Sequence, residues 1–122
     1  MKEYLDNEFL NEMIKALDIV QVDLMQATGG KSVCFLHKYS KSDEKVKYFE
    51  GKEYIIRVVV NQLKKDLALD NLQKILEEYR GKLETIRDSK LGVAPDWKAY
   101  VEGGFEGLEL TKGFIKRNMY SG

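Results

Sequence analysis

Arg57 interrupts an otherwise apolar run, YIIRVVV at 54–60, and its type and setting point more directly to ligand chemistry than those of any other residue here. A guanidinium among apolar side chains requires an anionic partner to offset its desolvation, and a carboxylate or phosphate fills that role through paired hydrogen bonds. His37, Tyr39, Lys47, Tyr48 and Tyr54 lie near it in the chain. Between Lys31 and Arg57 there are seven basic and four acidic side chains, a local excess hidden by the overall balance of 20 against 20. Cations interleaved with aromatic rings suit an anionic, nucleotide-like or phosphorylated small molecule, held by stacking and charge-assisted hydrogen bonds. Two plainer readings compete: an Arg on the open face of a one-sided sheet whose lysines guard exposed strands, and a structural ion pair.

Other chemistries have fewer residues to draw on. Cys34 and His37 are the single Cys and the single His, and three residues apart on an expected strand they point to opposite faces, which argues against a zinc site. No nucleophile elbow accompanies His37, which reads first as a structural neighbour of Phe35 and Tyr39. Glu102, Glu106 and Glu109 could gather a divalent cation, but Lys98, Lys112 and Lys116 border them as on a solvated mixed-charge face. Glu78 and Lys82 form an ordinary i,i+4 pair. Neither a metal nor a cofactor is expected. The segment GGFEG at 103–107 lacks the Gly-Lys-Ser/Thr ending of a phosphate loop and does not follow a strand.

The elements that must position these residues are read from periodicity. Leu5, Phe9, Leu10, Met13, Ile14 and Leu17 keep helical spacing over 4–17, with Asp6 or Asn7 placed to cap the first turn. From Asp18 the period changes to two, with Val20, Val22 and Leu24 alternating as in a half-buried strand, and 28–31 supplies a hairpin turn. Further strands are expected at 33–39, 45–49 and 54–60, separated by turns at 40–44 and 50–52. A bend is placed at 61–68. A helix follows to about Asp88, its start marked by a capping box of Asp70 and Gln73 and its inner stripe by Leu72, Ile75, Leu76, Tyr79, Leu83 and Ile86. Gly92 and Pro95 lead into a last helix over 95–119.

The expected fold class is α+β: an N-terminal helix, a four-stranded antiparallel meander and two C-terminal helices packed on the sheet, all in a single domain spanning 1–122.

The last helix carries two packing stripes. Trp97, Val101, Gly104, Leu108, Ile115 and Met119 form one; Tyr100, Gly103, Gly107, Leu110 and Phe114 form the other. Such a helix is either sandwiched inside the domain or shared with another subunit, and the second stripe is the expected homo-oligomer interface. Three interior glycines at about 1 kcal/mol each relative to Ala need compensation, by close helix approach, by a break at Gly103-Gly104 or by a ligand at exposed N–H groups.

Composition bounds the function. The chain of 122 residues, 43% hydrophobic and 33% charged, is typical of a soluble domain. A formal net charge of zero argues against general nucleic-acid binding, which relies on a basic excess. No apolar run approaches the ~18 residues of a membrane span, and the charged N-terminus does not resemble a secretory signal, so a cytoplasmic location is expected. Sixteen Lys against four Arg hint at AT-rich bacterial or phage coding.

Three function classes follow: a non-enzymatic, oligomeric protein that binds or sequesters an anionic ligand; a protein-binding inhibitor or immunity-type protein; and an enzyme with a dispersed active site. The first is preferred.

Overall fold

The computed structural model describes residues 3–29 and 44–120. Four α-helices carry the described residues: α1 (Asn7–Ala27), α2 (Glu44–Lys65), α3 (Leu69–Arg87) and α4 (Pro95–Tyr120), with a 3-10 turn at Leu91–Val93 between the last two. There is no strand among the described residues; one isolated bridge joins Tyr4 to Ala68. The expected α+β architecture with an antiparallel meander is therefore overturned in favour of a helical bundle. The expected strand at 33–39 and most of its flanking turns, with His37 and Tyr39, lie outside the described residues.

Helix α1 begins as expected, with the Asp6 carboxylate accepting the Phe9 N–H at 2.9 Å. It does not stop at 17. Phe9, Met13, Ala16 and Val20 are its buried positions, spaced four, three and four, so Val20 continues a helical stripe rather than opening a strand. Val22, its expected partner on the strand face, is 51% exposed. The turn expected at 28–31 begins instead as a helix end: Thr28 donates to the carbonyls of Leu24 and Met25, and Gly29 adopts φ +65°.

Helix α2 absorbs two expected strands and the turn between them. Its buried residues include Val46, Gly51, Ile55, Ile56, Val59, Val60 and Leu63, which wrap well over one face. An apolar run cannot by itself distinguish a buried strand from a buried helix. The β-branched residues lose tenths of a kcal/mol each in a helix, whereas burying each side chain contributes about 1.5–3 kcal/mol, so burial wins. The expected bend at 61–68 is confined to Asp66–Ala68, since α2 runs on to Lys65.

The capping box expected of Asp70 and Gln73 is replaced by another device. Helix α3 starts two residues earlier, with Ala68 rather than Asp70 at the N-cap and no side-chain cap there, and Asp66 accepts both the Ala68 N–H at 2.9 Å and the Asn71 side-chain amide. Of the stripe read there, Leu72, Leu76 and Leu83 are buried and Tyr79 and Ile86 pack against the core, whereas Ile75 does not join it. Gly92 in the connection is required: a Cβ there would meet the Ile86 and Arg87 carbonyls.

Helix α4 is continuous through Gly103-Gly104, so the break weighed above does not occur. It packs most extensively on α2 and also on α3, while α1 lies on α2 and touches α4 lightly. Around its glycines, α4 is covered within the chain by α2 and α3. A Cβ at Gly103 would strike the Tyr48 carbonyl, one at Gly51 the Tyr100 carbonyl, and one at Gly107 would press on Ile55, so α2 and α4 meet backbone to backbone. Gly104 faces the Leu83 side chain of α3. No helix among the described residues is long and apolar enough to cross a membrane.

Candidate functional site

Helical rather than extended geometry gathers residues that a strand would have parted. On α2, Lys47, Glu50, Tyr54 and Arg57 are spaced three, four and three and share one side of the helix. In a strand Tyr54 and Arg57 would point to opposite faces.

Tyr54 of α2, Tyr79 of α3 and Tyr100 of α4 converge on a cleft of about 210 Å³, lined also by Ile55, Lys82, Leu83 and Ile86. Tyr54 and Tyr79 meet edge to face at 5.8 Å, and Trp97 packs the same way on Tyr100 at 5.4 Å. Each ring system carries a cation. The Arg57 guanidinium lies 5.5 Å from the Tyr54 ring centre, the Lys82 ammonium 4.4 Å from that of Tyr79, and the Lys47 ammonium 4.9 Å from that of Trp97. Each cation also has a carboxylate on its own helix: Glu53 at 3.0 Å from Arg57, Glu78 at 3.4 Å from Lys82 and Glu50 at 3.5 Å from Lys47.

The three cations differ in availability. Lys47 is 5% exposed and held between Glu50 and Trp97, which makes it structural. The Arg57 and Lys82 side chains are 50% and 57% exposed. The Lys82–Glu78 pair is exposed on both sides, worth about 0.3–0.5 kcal/mol and easily exchanged for a stronger anion, whereas Glu53 is only 12% exposed and keeps its hold on the Arg57 Nε, leaving the other guanidinium nitrogens to a ligand. Arg57 is thus on the surface of the bundle, at the rim of the cleft.

The Tyr79 and Tyr100 hydroxyls hold their protons. Tyr79 is pushed above the ordinary tyrosine value first by its hydrogen bond to Tyr54, then by burial. Tyr100 is pushed up by burial, then by Tyr54 and Glu50, with Arg57 opposing and Glu53 adding to the rise. At neutral pH these hydroxyls are hydrogen-bond donors.

Of the expected ligand-binding residues, Lys47, Tyr54 and Arg57 come together here. Tyr48 does not. It sits edge-on to Phe49 on another side of α2, where burial, then Glu106 and Glu102, raise its hydroxyl pKa. Tyr79, Lys82 and Trp97 were read only as packing stripe or ordinary ion pair, and their signal is the aromatic repeat on three separate helices.

The expected interface stripe is divided: Tyr100 lines the cleft, Gly103 and Gly107 lie on α2 of the same chain, and Leu110 and Phe114 line a groove against α1. A larger trough of about 550 Å³ between α3 and α4 is floored by Leu76 and Ile115 and offers neither an aromatic ring nor a hydroxyl. No group of three or more metal-ligating side chains occurs among the described residues. Comparison with family models, with curated proteins and with solved structures found no match.

Proposed function

We propose that the protein is a non-enzymatic binding module whose cleft between α2, α3 and α4 holds the ring of a small aromatic anion, nucleotide-like or phosphorylated. The observation that carries this reading is the convergence of Tyr54, Tyr79 and Tyr100 from three helices beside two half-exposed cations, Arg57 and Lys82. The cleft, at about 210 Å³, is smaller than the roughly 300–1,000 Å³ that enclose drug-sized ligands. It accommodates one planar ring, with the anionic group outside at the rim. There a phosphate displaces Glu78 from Lys82, trading a weak surface pair for charge-assisted bonds, and takes the Arg57 guanidinium nitrogens that Glu53 leaves unused.

The test is native mass spectrometry of gently purified protein, followed by titration of Trp97 fluorescence with nucleoside monophosphates, the matching nucleosides and inorganic phosphate. A retained small mass, and monophosphates binding more tightly than nucleosides, support the reading. Arg57→Ala is expected to weaken that binding about tenfold or more while leaving the helical circular dichroism unchanged. A protein that retains no small molecule and answers to none of the panel overturns it.

A further inference from the structure

On the opposite flank of the bundle, α1 and α4 part to leave a groove of about 260 Å³. Ala16, Ile19 and Val20 of α1 form one wall, Leu110 and Phe114 of α4 the other. Its far end is closed where Glu12 meets Arg117 at 3.5 Å and Asn118 at 3.3 Å. Ile19 and Val22, on the outward side of α1, are 63% and 51% exposed, so an apolar ridge stands beside an apolar groove.

The pattern along that ridge is self-complementary about Ile19. Lys15 and Asp23 lie four residues to either side of it, about 6 Å along the axis. Three residues to either side lie Ala16, small and buried, and Val22, larger and exposed. Neither Lys15 nor Asp23 has an ion-pair partner among the described residues. Running two such helices antiparallel around a two-fold axis at Ile19 sets Ile19 against Ile19 of the second copy. It also places Lys15 opposite Asp23, twice by symmetry.

We propose that the α1 ridge and the α1–α4 groove form a docking surface for a second copy of this chain, as an antiparallel two-fold dimer centred on Ile19. Opposite charges matched about a single exposed apolar residue are what an isologous interface demands and what an unrelated partner has no need of. Leu110 and Phe114 widen the contact beyond a single helix pair, toward the roughly 1,200–2,000 Å² of a stable interface. The tyrosine cleft lies on the other flank and takes no part.

Sedimentation velocity on the full chain tests this, with circular dichroism to verify folding. The wild type is expected to dimerise, and Ile19→Glu to raise the dissociation constant about 100-fold or more by placing two like charges at the axis. Lys15→Asp and Asp23→Lys are each expected to weaken the dimer about tenfold, and the double exchange to return it to within about threefold of wild type. These charged positions leave the core intact, so their result stands even if Ile19→Glu fails to fold. A wild-type chain that remains monomeric to millimolar concentration overturns the proposal, as does a dimer unaffected by Ile19→Glu or one in which the double exchange is no better than the single ones.

Discussion

The α2–α4 contact changes character along its length, and the two stretches explain each other. Where Gly51, Gly103 and Gly107 meet, the absence of Cβ atoms lets the helix backbones touch. Nearby, Tyr54 and Tyr100 hold large rings beside the same contact, and with Tyr79 they frame an open cleft. The glycine seam is a rigid anchor made mostly of backbone, with the stiff Ile55 side chain against Gly107; the tyrosine stretch has rings, hydroxyls and cations that a ligand can engage. Close backbone packing in one place therefore fixes the geometry of an adaptable site in another.

The sharpest way to break this contrast is Gly103→Leu, or the milder Gly103→Ala, whose Cβ meets the Tyr48 backbone carbonyl. Neither backbone can yield without moving a helix, so a loss of about 3 kcal/mol or more for Leu is expected in urea unfolding, with collapse of the cleft. Gly104→Ala sharpens it. Its Cβ would meet the ends of the Leu83 side chain, at 2.8 Å, and these can turn aside, so the cost is expected to be below about 1.5 kcal/mol.

Within the cleft, Tyr79→Phe removes the hydrogen bond to Tyr54 and is expected to cost about 1 kcal/mol. At the small end, Gly81→Ala is a control in open space, where nothing lies within 4 Å of a new Cβ. It is expected to stabilise by about 0.5–1 kcal/mol, the helix-propensity gain that the seam glycines cannot realise.

Alkaline pH probes the tyrosines of both stretches without mutation. Tyr48, Tyr79 and Tyr100 all have raised pKa values, so the folded state keeps their protons longer than the unfolded chain does. Their contribution is fully present below the ordinary tyrosine value of about 10 and is lost as pH rises above it toward the folded values. Ultraviolet titration is expected to show tyrosines ionising late, and thermal stability to fall over the same range. Tyr79→Phe should remove one late-titrating group and reduce that fall.

Legibility in the sequence followed the strength of each periodic signal. The α3 stripe and the extent of α4 were readable because apolar residues recur there at helical spacing over several turns, between polar flanks. Around Gly51 the same reasoning failed. Gly51 marks a turn in most contexts, and the run that follows is rich in β-branched residues; only the Tyr100 carbonyl pressed against Gly51 and the burial of Ile55, Ile56, Val59 and Val60 explain why they are helical. Arg57 was singled out from its apolar setting, but helical geometry puts it outside, paired with Glu53.

The sequence by itself determined that α4 is two-faced and that no Cys/His metal set is at hand, because these depend on residue identity and local period; that the α4 glycines mark close approach rather than a break was decided by their contacts with α2. Only the tertiary structure decided which helix fills each face and that Tyr54, Tyr79 and Tyr100 share one cleft. Those facts rest on contacts between residues far apart in the chain, and local propensity carries no information about them: burial outweighs it wherever the two disagree.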